Sequence, residues 1–188
     1  MRKGITIVKA NREFIKSLFP ELDRVKDRES AEKAVDIWTF FWEQSNWEDV
    51  TDAAFSYEGT YLRLVQHTQS TVRGAIALAD IIVENQHEVV DYDTLILGCV
   101  LHDVSKLVEY CGYDENGHAY KSPEGAAFQH SFLGAAKAQE MGMPLQVVKI
   151  ILCHTPFTKC PMNCIEGLLL ACADHASAHA ANQKYDFK

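Results

Sequence analysis

Apolar residues recur at three- and four-residue spacing along almost the whole chain, and this pattern most restricts what it can fold into. Ala34, Val35, Ile37, Trp38, Phe41 and Trp42 form one broad aromatic helix face that reads as core, with Ser30 as the expected N-cap. Residues 60–86 continue in Ala, Leu, Ile and Val at helical spacing, and 92–110 carry Leu95, Ile96, Leu97, Cys99, Val100 and Leu101. Further helices are expected at about 126–141, 144–153 and 162–181, with Pro144 in a first turn and Gly142 as a stop. Residues 112–125, rich in Gly, Asp, Asn, Pro and Ser, are expected to form a loop. The alternation of a strand is confined to 4–9. Without strand–helix alternation, the expectation is an all-α bundle. Residues 1–59 would be an N-terminal helical extension and 60–188 the main domain.

Charge narrows the function. Lys plus Arg number 18 against 26 Asp plus Glu, a formal net charge of −8 over 188 residues. An acidic chain gains little from counterion release, so neither nucleic acid nor an anionic membrane is an expected partner. An anionic substrate must then be held by a few local cations or by metal. No apolar run reaches the roughly 18 residues of a membrane span. The basic start is followed by charges from Lys9 to Lys16, where a signal peptide needs an apolar stretch, so a cytoplasmic protein is expected. The oligomeric state is not legible. Cys99, Cys153 and Cys172 lie in apolar stretches and are expected to be buried thiols. Cys160 and Cys164 have zinc-knuckle spacing at one end only, so no structural zinc is expected there.

Histidine carries the chemistry. His67, His102, Asp103, His130, His154 and Asp174 fall at the ends or interiors of separate apolar segments. Asp174 follows the run from Leu168 to Ala173, and His102-Asp103 follow the run from Leu95 to Leu101. A carboxylate buried in such surroundings needs a cation, a metal or hydrogen-bond donors. Neutral imidazoles with two carboxylates suit Fe, Mn, Co, Ni or Zn. Each histidine alone is unremarkable; six such positions on helices that must pack together point to a metal site between helices.

In that order the six residues resemble the HD-domain metal-dependent phosphohydrolase superfamily, and His102-Asp103-Val104-Ser105-Lys106 is similar to its His-Asp-aliphatic-small-Lys signature. The resemblance covers about residues 60–181. It implies an all-α HD domain in which His67, His102, Asp103 and Asp174 hold one metal ion. His130 and His154 match the added pair of binuclear members, where Asp103 would bridge two divalent transition metal ions. The implied reaction is hydrolysis of a small phosphorylated substrate, a nucleotide or related metabolite, by metal-activated water. Lys106 matches a Lys that contacts substrate phosphate, so Asp103 and Lys106 are the expected catalytic residues.

Arg63, four residues before His67 on the same helix face, is a second phosphate-contact candidate. Gln66, Arg73, Thr155 and Lys159 are weaker ones. Asp114, Glu115 and Glu124 are expected to be solvated loop carboxylates, and His87, His118, His175 and His179 fit no ligand position. The Gly-Tyr-Pro signature of cyclic-dinucleotide-cleaving members is missing, since Cys111-Gly112-Tyr113-Asp114 lacks the Pro. Two alternatives share the ligand order: a binuclear iron O2-dependent oxygenase of the same fold, and a non-catalytic metal-containing sensor of a phosphorylated ligand.

Overall fold

The computed structural model describes residues 10–58, 61–155 and 158–183. The strand expected at 4–9 lies outside the described residues. Helix α1 (Arg12–Leu18) is capped by the Asn11 side chain, which accepts from the Phe14 N–H. A 3-10 turn at Pro20–Arg24 leads to α2 (Arg28–Gln44). The cap of α2 is Asp27 rather than Ser30; Asp27 accepts from both the N–H and the hydroxyl of Ser30, which is buried in the first turn. A carboxylate there meets both the unpaired N–H groups and the positive end of the helix dipole.

The expected helix over 60–86 is α3 (Leu64–Gln86). The one expected over 92–110 divides into α4 (Tyr92–Leu101), a tight turn over 102–105, and a short α5 (Lys106–Glu109). Consecutive residues of an unbroken helix point about 100° apart. The turn instead lets His102 and Asp103 both face inward, and both are buried. The expected loop over 112–125 is partly ordered. Strands β1 (Tyr110–Tyr113) and β2 (Ala119–Lys121) form an antiparallel hairpin, and α6 (Pro123–Ala127) follows. Asp114 closes the hairpin by accepting from the N–H groups of Asn116 and His118. Three further helices follow among the described residues: α7 (His130–Glu140), α8 (Leu145–Cys153) and α9 (Ile165–Ala181). Gly142 ends α7 with a positive φ of 69°, and Pro144 sits at the N-cap of α8 rather than in its first turn.

The architecture is all-α with a single two-stranded hairpin among the described residues. Helix α3 packs on α9 and α4, α4 on α8 and α9, and α7 on α8. At Gly74 a Cβ would lie 3.3 Å from the Ala173 Cβ, so two small residues let α3 and α9 approach closely. Helix α2 lies against α4 and α5, its Trp38 fully buried. A buried indole needs an acceptor. Trp38 Nε1 donates to the Val100 carbonyl at 2.9 Å, and Trp47 Nε1 to that of Tyr110 at 3.0 Å. Buried residues from both sides of residue 59 form one apolar cluster. The division into an N-terminal helical extension at 1–59 and a main domain at 60–188 remains a proposal.

Two cysteine expectations are corrected. Cys153 is buried but bonded to Cys160, and Cys172 is an exposed thiol. Helix α9 turns Cys172 outward because the adjacent Ala173 packs against α3. Cys99 is a buried thiol as expected.

Candidate metal centre

Five elements deliver the six residues singled out in the sequence. His67 lies on the first full turn of α3, His102 and Asp103 in the turn after α4, His130 at the start of α7, His154 just past α8, and Asp174 on α9. All six meet. His67 Nε2 stands 3.1 Å from Asp174 Oδ1, 3.4 Å from Asp103 Oδ2 and 3.3 Å from His102 Nε2. On the other side, His130 Nε2 and His154 Nε2 lie 3.1 and 3.3 Å from Asp103 Oδ1, and 3.3 Å from each other. Two groups with metal-ligating geometry result: His67, His102 and Asp174, and Asp103, His130 and His154. Asp103 stands between them, with one carboxylate oxygen toward each imidazole pair.

The ring tautomers test whether a cation fits. His102 Nδ1 lies 2.7 Å from the Cys99 carbonyl, and His154 Nδ1 lies 2.7 Å from the Ile151 carbonyl. A carbonyl only accepts, so each Nδ1 carries a proton, and each ring, once neutral, turns an Nε2 lone pair to the centre. His130 Nδ1 stands at an ion-pair distance of 3.0 Å from Glu109 Oε2, a charge that favours a proton on Nδ1. His67 Nδ1 lies 3.0 Å from the Ser177 hydroxyl. Asp103 Oδ1 is buried and has no hydrogen-bond partner. Lone pairs thus converge on an orphaned carboxylate oxygen, an arrangement that a divalent cation satisfies and neutral protein groups do not.

Charge is balanced locally. Burial works against ionisation of Asp103, but Lys106, His102 and His130 outweigh it and hold its pKa well below the usual carboxylate range. Asp174 is likewise lowered: burial opposes its charge, while His67 and His102 overcome that. Burial lowers His154, whereas at His102 and His130 the neighbouring carboxylates exceed the burial effect and raise the pKa. Lys106 Nζ lies 2.8 Å from Asp103 Oδ2, so Lys106 points into the centre although the helix breaks before it. The open side of the cluster is formed by Asp174, His130 and Lys106, whose side chains are 15%, 14% and 12% exposed, while His67 and His102 are fully buried.

Arg63 is at the N-cap of α3, its guanidinium 2.6 Å from the Tyr113 hydroxyl and over that ring. Gln66 and Arg73 line an open groove of about 660 Å³ between α3 and α9, with Ser177 on its wall. Arg73 pairs there with Glu21 at 2.9 Å. Thr155 is buried against Thr158, and Lys159 is exposed. His118 stacks on Tyr57, and His87 and His175 are exposed. Glu115 is an exposed loop carboxylate as expected, whereas Glu124, also exposed, lies in the first turn of α6 rather than in a loop.

Two contributors were missed from sequence. Phe55 lies with its ring 4.0 Å from that of His67 and 4.6 Å below Lys106 Nζ; nothing in its local pattern marks it. Glu109 is buried between His130 and Lys121, which pairs with its Oε1 at 2.7 Å. Its signal was present: a carboxylate inside Leu107-Val108-Glu109-Tyr110 meets the criterion that marked Asp174.

An all-α protein with clustered His and Asp residues suited to divalent metal is the class that fold and site define. The HD domain family matches residues 64–179, more than half of the chain, and the chain belongs to that family. It is also similar to a Methanocaldococcus jannaschii protein named dihydroneopterin 2',3'-cyclic phosphate phosphodiesterase, with 28% identity over 123 residues. That match covers 65% of this chain and 47% of the relative, so the chain spans about half the length of the curated relative it matches. No solved structure was found to match the chain.

Proposed function

We propose that this protein is a metal-dependent phosphohydrolase acting on a small phosphate ester, with two divalent transition metal ions at a shared centre. His67, His102 and Asp174 would hold one ion, His130 and His154 the other, and Asp103 both. The observation that carries this reading is the Asp103 carboxylate, which turns one oxygen to each imidazole pair while Oδ1 lacks any donor. The ions would supply Lewis acidity, polarising a phosphoryl oxygen and lowering the pKa of water. The chain's own groups do the rest. Lys106, at the open side, would contact a non-bridging phosphate oxygen as a compact charge. Phe55 closes the wall beside His67 and Lys106 and excludes water there. Arg63 is the second proposed substrate contact, reached by release from Tyr113.

The cyclic phosphodiester in the relative's name makes a 2',3'-cyclic phosphate the first ester to test. Protein loaded with Mn²⁺, Co²⁺ or Fe²⁺ should hydrolyse a member of a panel of 2',3'-cyclic phosphates, nucleotides and sugar phosphates, with product followed by chromatography. Turnover should stop with chelator, return with metal, and continue without O2. Silence across the panel in metal-replete protein would favour the sensor alternative, and a strict O2 requirement the oxygenase.

A further inference from the structure

The four imidazoles of the centre are not backed alike. The Nδ1 atoms of His102 and His154 face backbone carbonyls, and that of His67 faces a hydroxyl. Among the described residues, only His130 of the four is backed by a carboxylate, with Glu109 Oε2 at an ion-pair distance of 3.0 Å and no hydrogen-bond partner of its own for that buried oxygen. The other Glu109 oxygen is held by Lys121 of β2 at 2.7 Å. The position is built rather than incidental. The Ser122 N–H donates to the Glu109 carbonyl at 2.9 Å, and the Ser122 hydroxyl to that of Val108 at 2.6 Å. Gly125 of α6 sits so close that a Cβ there would fall 2.2 Å from the Glu109 carbonyl oxygen. Hairpin and α6 together fix where the Glu109 carboxylate lies.

A carboxylate accepting from Nδ1–H locks a metal-ligating histidine in one tautomer, fixes its ring and makes Nε2 a better donor of electrons. We infer that Glu109 is a positioning residue for the Asp103–His130–His154 half of the centre, and that through Lys121 it makes the β1–β2 hairpin part of the metal site. The inference rests on the proposed metal-binding reading. It goes beyond it by making the two halves unequal: one has a charged support from the hairpin, the other only neutral partners. Glu109 touches neither substrate nor ion in this role. It acts through His130.

The test uses the full chain and Co²⁺ alone as probe, titrated calorimetrically, with histidine ¹⁵N shifts recorded on the metal-free protein. The parent should bind Co²⁺ at two sites and show His130 protonated at Nδ1. Glu109→Ala should weaken one site by about 10–100-fold, leave the other unchanged, and lose the single His130 tautomer. The unchanged site is the internal control for folding. Glu109→Gln keeps an acceptor oxygen and should retain the tautomer while weakening the same site by a smaller factor. Lys121→Met should have the mildest effect, since the contact with His130 survives. If Glu109→Ala fails to fold, Glu109→Gln decides, and parent-like affinity at both sites overturns the inference. So does a Glu109→Ala protein with both affinities and the His130 tautomer intact. A parent that binds no Co²⁺ would instead defeat the metal-centre reading, and the metal-free tautomer measurement would still decide whether Glu109 sets His130.

Discussion

At Asp103, removal of the carboxylate deletes the group that faces both imidazole pairs. Asp103→Ala is expected to lose both metal ions and all turnover, whereas His130→Ala should lose one ion and keep the half held by His67, His102 and Asp174. Elemental analysis against protein concentration checks both, and a His130→Ala chain with two ions would overturn the two-metal reading. Lys106 gives a separate prediction. Its Nζ is 2.8 Å from Asp103 Oδ2 in a nearly buried pair. If the two proposed ions are bound, they would supply the counter-charge for Asp103, so Lys106→Ala should retain metal and fold. Turnover of a phosphorylated substrate should fall by about 100-fold, the scale of one lost transition-state contact of roughly 2.7 kcal/mol. Without metal, the same substitution strands a buried carboxylate. The melting temperature should therefore drop further in chelator than in Co²⁺, and equal drops would show that Lys106 does not serve as the counter-charge.

At the scale of elements, the site depends on how closely helices approach. His67 reaches Asp174 at 3.1 Å because α3 and α9 meet through Gly74 and Ala173. Gly74→Leu has no room for its side chain and should cost about 1–3 kcal/mol. By parting these helices it should weaken metal binding at the His67–His102–Asp174 half more than at the other. Denaturant unfolding and a two-site Co²⁺ titration measure the two effects; loss of stability with both affinities unchanged would separate the helix contact from the site. A milder contact ties α1 to α2. Glu32 is brought down to about 2 by Lys16 and Arg12. Its folded pKa is lowered, so the associated stability is full above its unfolded value and fades as pH falls from there toward 2. The pairs are more than a third exposed, so solvent screening leaves their contribution small.

Across the whole molecule, metal and protons compete for the same imidazoles. The neighbouring carboxylates raise His102 and His130 against the effect of burial, so both rings hold protons above the pH at which a free imidazole gives them up. Co²⁺ must displace those protons, and its affinity should rise with pH through neutrality and release protons on binding. Because a ligand stabilises the folded chain by RT ln(1 + [L]/Kd), the gain in melting temperature from the same excess of Co²⁺ should be larger at pH 8 than at pH 6. An equal gain at both values would mean that the rings are already neutral at pH 6.

The sequence by itself determined the helical class, the HD resemblance and the set His67, His102, Asp103, His130, His154 and Asp174. Helix periodicity is local, and polar residues ending apolar runs betray burial before any fold is known. Glu109 is legible by the same criterion, but no metal-ligand spacing includes it. Other features depended on distance in space. Phe55 sits on His67 only because the segment before α3 folds back over the centre. The turn over 102–105 interrupts an apolar run that reads locally as one helix, and it brings His102 and Asp103 to the same buried centre. The β1–β2 hairpin carries too few alternating residues to mark a strand, and is ordered by contacts such as the Ala119 N–H donating to the Tyr57 carbonyl. The Cys153–Cys160 bond likewise follows from where the chain turns after α8. Residue chemistry named what the centre is made of; tertiary packing alone decided that Asp103 would stand between two imidazole pairs, because that requires five separately encoded elements to converge within hydrogen-bond distance.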